Sequence, residues 1–214
     1  MFKRIIPVAA LAGIVFTQSA FSQEEAPAYR SEATVQALGS FLKSTTAKGV
    51  EQSATHSGGV LASYRFFFDR HNGVEVNYGY QRNTQSYGLT NGPLGLATDA
   101  HEFSADYVLR FPMKRWSPFV LGGVGALVFD PGSVPQSTLA GFLAPNTPGS
   151  ATTQTRAAFI YGGGADLNLT SRFYLRAEYR GFVYNSPTYD FPGLSGFDRV
   201  THRAQPSIGF GFRF

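Results

Sequence analysis

The 214-residue chain combines many aromatic residues with few charged ones, each at 15%, whereas ordinary soluble domains carry roughly 25% charged residues. Its length fits one domain, and the absence of cysteine excludes disulfides and thiolate metal sites. The formal net charge is +4, but lysines and arginines occur in runs of no more than two. Because a nucleic-acid surface would concentrate its cations, these numbers argue against nucleic acid as a partner.

The first residues predict a cleavable signal peptide, 1–22. Lys3 and Arg4 form a basic start, and the apolar run 5–16 is followed by small residues where a signal peptidase would cut. This run is too short for a spanning helix, which needs roughly 20 residues. We therefore expect an exported protein with a single mature domain, 23–214.

The mature sequence consists of segments in which apolar and polar residues alternate, as in strands with two different faces. In the clearest segment, Val60, Ala62 and Tyr64 share one face, with Ser63 and Arg65 on the other. The segment 118–129 is apolar or glycine on both faces, so its orientation is not predicted. The eight predicted strands lie near 32–43, 60–68, 74–81, 102–111, 118–129, 159–168, 175–180 and 207–214.

The connections between these segments alternate between long and short, which places all long connections at one end of an up-and-down sheet. Outer-membrane barrels have this asymmetry, with long extracellular loops and short periplasmic turns. A soluble sandwich or lipocalin-type barrel has no reason to sort its loops in this way. The long connections lie near 44–57, 83–99, 130–155 and 185–200, and the short ones near 69–73, 112–117 and 169–172.

The polar face of the strands carries acidic and basic residues together, while the opposite face is apolar and aromatic. We therefore expect the apolar face to contact lipid, with the charges paired inside a narrow lumen. The predicted lumen charge network is Arg65, Glu75, Glu102, Asp106, Arg110, Asp166, Arg176, Glu178, Arg180 and Arg203, with Arg213 on the same face.

The last eight residues set Phe210, Phe212 and Phe214 on one face, and the chain stops on the last ring. With the stretches FFFDRHNGVEVNYGY, PFVLGGVG and LRAEYRG, this ending resembles the OmpA/OmpX-type eight-stranded outer-membrane barrels, also called the small porin family, over 23–214. Their C-terminal assembly signal has a polar residue, a glycine and two aromatics in set positions. In this chain those positions are Ser207, Gly209, Phe212 and Phe214.

The resemblance implies an all-β, eight-stranded antiparallel transmembrane up-and-down barrel in the cell outer membrane. It further implies contact with outer-membrane lipid or lipopolysaccharide, recognition of the last strand by the barrel-assembly machinery, a monomer, and no cofactor. Pro206 departs from the pattern because it removes a ladder donor inside the last strand. We expect it at a bulge or toward the extracellular rim.

Some barrels of this size are lipid A deacylases or acyltransferases that need a histidine, a serine and a carboxylate at the outer rim. His101, Glu102 and Ser104 come close in sequence, yet successive strand residues face opposite sides. No histidine and carboxylate spacing typical of a metal site occurs either. We therefore expect a non-catalytic barrel with a structural or surface-interaction role and a lumen plugged by charged side chains. A small-solute porin or ion channel and a lipid A-modifying enzyme remain as alternatives.

The long connections are the expected contact regions for an extracellular partner. Connection 130–155 is almost uncharged and rich in proline, and 185–200 carries several aromatic residues. Strand addition is one way in which such loops bind proteins, and variable, mobile loops without a partner are the other interpretation.

Overall fold

The computed structural model describes residues 29–42, 45–47, 50–54, 56–89, 92–131, 153–187 and 200–214. All regular elements in these ranges are strands. This part of the chain therefore contains no helix that is long and apolar enough to cross a membrane. The strands are β1 Ser31–Leu42, β2 Thr45–Ala47, β3 Val50–Ala54, β4 Ser57–Phe67, β5 Asn72–Leu89, β6 Gly92–Arg110, β7 Trp116–Pro131, β8 Gln154–Asn168, β9 Phe173–Asn185 and β10 Val200–Arg213.

Eight of these strands close into an antiparallel up-and-down barrel, which confirms the predicted fold class. β1 pairs with β4, and each later strand pairs with the next one in the chain as far as β10. The barrel closes where β10 returns to β1, with Glu32 opposite Arg213. The short strands β2 and β3 lie in the first long connection and pair with each other.

The pairing register fixes the stagger of the barrel. A path of directly opposed residues starts at Ser31, crosses all eight barrel strands and returns to β1 at Phe41, ten residues further along. Such a stagger requires the strands to tilt, and with eight strands it leaves an interior just wide enough for side chains. The path runs through Phe66, Val74, Tyr107, Gly122, Tyr161, Gly181 and Ala204.

The predicted long connection 83–99 is strand over most of its length, because β5 and β6 continue past their other barrel partners as a paired ribbon. Their ladder runs without interruption from Asn72↔Leu109 to Leu89↔Gly92. Beyond the rim, β3 adds to this ribbon, with Glu51 opposite Gly88. The sequence prediction followed the glycine, proline, serine, threonine and asparagine content of 83–99, which is typical of a loop.

The outward face is strongly apolar, as expected for a lipid-facing surface. Val35 is 65% and Phe210 68% exposed, values that would favour aggregation in water. In β7, whose orientation was not predicted, Phe119 and Leu127 point inward and Val124 outward. Aromatic residues gather outside the barrel near the short turns, namely Tyr64, Phe68, Tyr107, Phe111, Trp116, Phe173 and Phe214.

Pro206 occupies neither of the positions expected from sequence. It lies in the middle of β10, exposed on the outer face, opposite Tyr179 of β9. The register with β1 is the same on both sides, Leu38↔Ser207 and Phe41↔Ala204, so no bulge is present. Pro206 therefore costs a hydrogen bond on its β1 side and leaves the strand alignment unchanged.

Candidate functional site: the charged lumen

All of the charged residues predicted for the lumen point inward from their strands, together with Glu32. Most are almost completely buried, and Arg65, Arg176 and Arg180 are fully so. They form two groups. The turn-end cluster, nearest the short turns, comprises Glu32, Arg65, Glu75, Arg110, Asp166, Arg176 and Arg213. The loop-end cluster comprises Glu102, Asp106, Glu178, Arg180 and Arg203.

Arg176 is the centre of the turn-end cluster. Its guanidinium makes a two-point contact with Asp166, Nε to Oδ1 at 2.7 Å and Nη2 to Oδ2 at 3.0 Å. It also donates to Oε2 of Glu75 at 3.1 Å and to Oε2 of Glu32 at 3.3 Å. Arg65 lies on the same Glu75 oxygen, with its Nη2 at 2.5 Å. Arg176 therefore connects β9 to three other strands across the lumen.

Glu32 holds two further arginines at the mouth beside the short turns. Nη1 of Arg110 lies 2.6 Å and Nε of Arg213 2.9 Å from the same oxygen, Oε1. Arg213 also donates to the side chain of Asn168 at 2.8 Å. Glu32 was not among the predicted lumen charges, although Glu32, Thr34 and Gln36 alternate along β1 and are all buried. This alternation along β1 is the sequence signal that could have placed Glu32 in the lumen.

Arg180 organises the loop-end cluster. Its Nη1 donates to Glu102, its Nη2 lies 2.8 Å from Asp106, and its Nε lies 3.6 Å from Glu178. Arg203 donates from Nη2 to the second oxygen of Glu102 at 2.8 Å. Both oxygens of Glu102 are thus occupied by guanidinium groups from β9 and β10.

Aromatic rings line the guanidinium groups and complete the filling of the lumen. The guanidinium carbon of Arg110 lies 3.6 Å from the ring centroid of Phe67, and that of Arg203 lies 4.2 Å from Phe182. Phe119 packs under Arg65 at 4.3 Å. Arginine is suited to such sites because its planar group stacks on rings and still donates along its edges.

The two clusters carry opposite charge surpluses. The turn-end cluster has four arginines and three carboxylates, and the loop-end cluster has two arginines and three carboxylates. Together they balance, which is what removal of so many ions from water requires. Gln36 lies between them, accepting from Ser207 at 3.1 Å and donating to Glu178 at 3.4 Å.

We predict that replacing Glu178 by glutamine changes the free energy of unfolding by less than about 1 kcal/mol, because a neutral substitute for a weakly paired buried ion is often tolerated. Its cation contact is long, and its cluster already has a carboxylate surplus. Arg180→Gln should instead cost about 3–5 kcal/mol, because it leaves buried carboxylates without a partner. Urea unfolding in detergent micelles measures both, and equal losses would contradict this view of Glu178.

The residues considered for catalysis are not brought together. His101 lies on the outer face, where its Nδ1 is 3.0 Å from the hydroxyl of Tyr78. Glu102 and Ser104 point inward and both contact Arg180. Among the residues that the structure describes, no three histidine or acidic side chains gather in a way that fits a metal ion.

The four predicted assembly-signal residues divide between the two faces of β10. Ser207 and Gly209 face the lumen, where Ser207 donates to Gln36. Phe212 and Phe214 lie outside at the turn end, with stacked rings 6.1 Å apart. Phe214 exchanges backbone hydrogen bonds with Ser31, so the last residue takes part in closing the barrel.

Comparisons with known proteins agree with this architecture. The chain is similar in structure to the outer membrane protein OprG from Pseudomonas aeruginosa, with 16% identity and a TM-score of 0.61, over 88% of this chain and 97% of that one. It is also similar to Neisserial surface protein A, with 12% identity and a TM-score of 0.59, over 86% and 97% of the two chains. At these identities the likeness concerns the fold alone.

No curated protein matches the sequence. The family model described as "Outer membrane protein beta-barrel domain" matches residues 8–214, almost the whole chain. On this match, the chain belongs to the outer membrane protein beta-barrel domain family and is a protein of the outer membrane.

Proposed function

We propose that the protein is a structural outer-membrane barrel whose lumen is plugged by the two charged clusters, so that it does not conduct. The observation that carries this proposal is the position of Arg176, a fully buried guanidinium in contact with carboxylates from β1, β5 and β8. A side chain tied across the lumen in this way leaves little free cross-section in a barrel of eight strands.

A planar-bilayer experiment tests the plug. We expect the refolded wild-type barrel to give no stable unit conductance, since both clusters would have to separate before ions pass. Arg180→Ala and Arg203→Ala together, refolded in the same way, provide the comparison with a weakened loop-end cluster. Regular single-channel openings of the wild type would contradict the plug and favour the alternative of a small-solute porin or ion channel.

We propose that the barrel has no enzymatic activity, because His101 faces outward while Glu102 is engaged by two arginines in the lumen. The alternative is a lipid A-modifying enzyme. Mass spectrometry of lipid A from cells that express the barrel, compared with cells that lack it, decides between them. A change of acyl chain number would contradict the proposal.

A second proposed role is contact with an extracellular partner. It is favoured by the ribbon of β5 and β6, which continues past the barrel rim and takes up β3 as a further strand. Most of connections 130–155 and 185–200, the other expected contact regions, lies outside the described residues. Cell-binding assays with a barrel in which 84–97 is replaced by a short turn would test the ribbon, and undiminished binding would contradict its role.

We also propose that the protein reaches the membrane through a cleaved signal peptide, 1–22, and that the barrel-assembly machinery recognises Ser207, Gly209, Phe212 and Phe214. The external position of Phe212 and Phe214 supports this, because rings on the outer face are available to a partner before insertion. A monomer in contact with lipopolysaccharide is the form we expect in the membrane.

A further inference from the structure

The turn end of the barrel carries a collar of exposed basic side chains. The collar consists of positively charged residues, one directly before β1 and the others in the three short turns. Asp69 is the only exposed acidic side chain among the described residues of this rim, and its oxygens accept from His71 and Asn72. The basic collar is Arg30, Arg70, Lys114, Arg115 and Arg172.

The opposite rim has no comparable surplus in the part of the chain whose side chains are described. There, Arg82 and Arg156 are matched by Asp99 and Asp130, and Nε of Arg82 lies 3.2 Å from Asp99. The positive charge is therefore concentrated at one end of the barrel.

Each turn in the collar also carries exposed apolar side chains next to its cations. Phe68 precedes Arg70 by two residues, and Phe173 follows Arg172 directly. Lys114 and Arg115 lie between Met113 and Trp116, which are 61% and 52% exposed. Aromatic rings with adjacent basic groups are typical of the boundary between hydrocarbon and lipid headgroups.

The mouth behind the collar adds to the positive field. A recess of about 320 Å³ is lined by Arg110, Arg213, Asn168 and Tyr29, among others. The two arginines share a single oxygen of Glu32, so their charge is only partly neutralised there. The charge of the collar is thus reinforced from inside the barrel.

From this arrangement we propose that the basic collar binds the phosphate groups of anionic phospholipids in the leaflet that surrounds the short turns. The rings beside the collar place the cations at headgroup depth, where a basic side chain attracts anionic lipid over a range of about a Debye length. The lipids next to the turns are then enriched in anionic headgroups relative to the bulk membrane. This holds whether or not the lumen conducts.

The single tryptophan of the chain, Trp116, gives a direct test because it follows Arg115 of the collar directly and lies on the lipid-facing side. The full barrel is reconstituted in phosphatidylcholine vesicles that contain phosphatidylglycerol, with brominated acyl chains on one lipid or the other. We expect brominated phosphatidylglycerol to quench Trp116 about twofold more effectively at equal mole fraction in low salt. The preference should disappear at high salt.

The triple variant K114Q/R115Q/R172Q should lose this preference while its gel mobility still shifts on boiling, since all three side chains are exposed. Arg82→Gln, at the other rim, is the matched control and should keep it. Equal quenching by both lipids in the wild type, or a preference that survives in the triple variant, would overturn the proposal. The proposal would also be overturned if brominated phosphatidylglycerol were the better quencher only in the variant E24Q/E25Q and not in the wild type. In that case Glu24 and Glu25, and not lipid phosphates, would bind the collar of the wild-type barrel.

Discussion

Arg176→Met is expected to destabilise the barrel by about 3–5 kcal/mol, the typical cost of removing one partner from a buried ion network. Methionine keeps much of the side-chain volume and removes the guanidinium. Asp166, Glu75 and Glu32 each lose a contact of 2.7–3.3 Å and stay buried. The loss arises from the weaker pairing of these buried carboxylates, since the cavity left by the substitution is small.

Reversible urea unfolding in detergent micelles, followed through gel mobility and tryptophan fluorescence, measures this effect. Arg82→Met is the matched control, because that arginine is 67% exposed and, among the described residues, pairs with Asp99 alone. Exposed pairs of this kind contribute at most about 1 kcal/mol. The double variant R176M/D166N should recover part of the loss, because Asp166, left with only a 3.8 Å contact to Arg65, becomes a neutral amide.

An Arg176→Met barrel that kept its unfolding midpoint would contradict this structural role of the turn-end cluster. If such a barrel also gained steady conductance, the charges would act as a filter in an open path. The two measurements together therefore separate a filled interior from a lined pore.

The part of the fold that the sequence predicted depends on local alternation. The faces of β4 and the first half of β5 were predicted correctly because apolar and polar residues alternate on either side of the turn at 68–71. β7 resisted the same reasoning, since Phe119 and Leu127 make its inner face apolar as well. The ring of Phe119 packs against Arg65 and Arg176 of other strands, a role that no local pattern reveals.

The partners within the lumen are non-local and were not predictable from one sequence. Glu32 meets Arg110 across 78 positions and Arg213 across 181. The alternation predicts which face of its strand each charged residue occupies. It does not predict the position of that residue along the barrel axis, which depends on the ten-residue stagger around the barrel. A change of register in any strand would pair different residues, so the network is a product of closure.

Gly209→Ala is expected to weaken the seam that closes the barrel, by about 3 kcal/mol, the upper part of the usual range for overpacking. Gly209 lies opposite Gln36 in the β1–β10 ladder. A methyl group there would overlap the carbonyl oxygen of Val35 and the Cα atom of Gln36. Both obstacles are backbone atoms of the neighbouring strand, which no side-chain rotation can remove.

Gly58→Ala is the matched control, because Gly58 lies on the other side of β1 and the nearest obstacle to its methyl group is 3.8 Å away. We expect this variant to unfold at the wild-type urea concentration in micelles. Equal midpoints for Gly209→Ala and Gly58→Ala would show that the seam tolerates the extra methyl and would contradict the prediction.

Phe214→Ala separates the two proposed roles of the last eight residues, which are to close the barrel and to be recognised by the assembly machinery. Its ring is 56% exposed and lies beside the rings of Tyr64 and Phe212 at the turn end, so refolding in micelles should change little. Insertion in cells should fall sharply if the assembly machinery reads this ring, whereas Gly209→Ala should lower stability in micelles as well, because its defect lies in the barrel itself. If Phe214→Ala inserted normally in cells, the closing strand would be a structural seam and not a recognised signal.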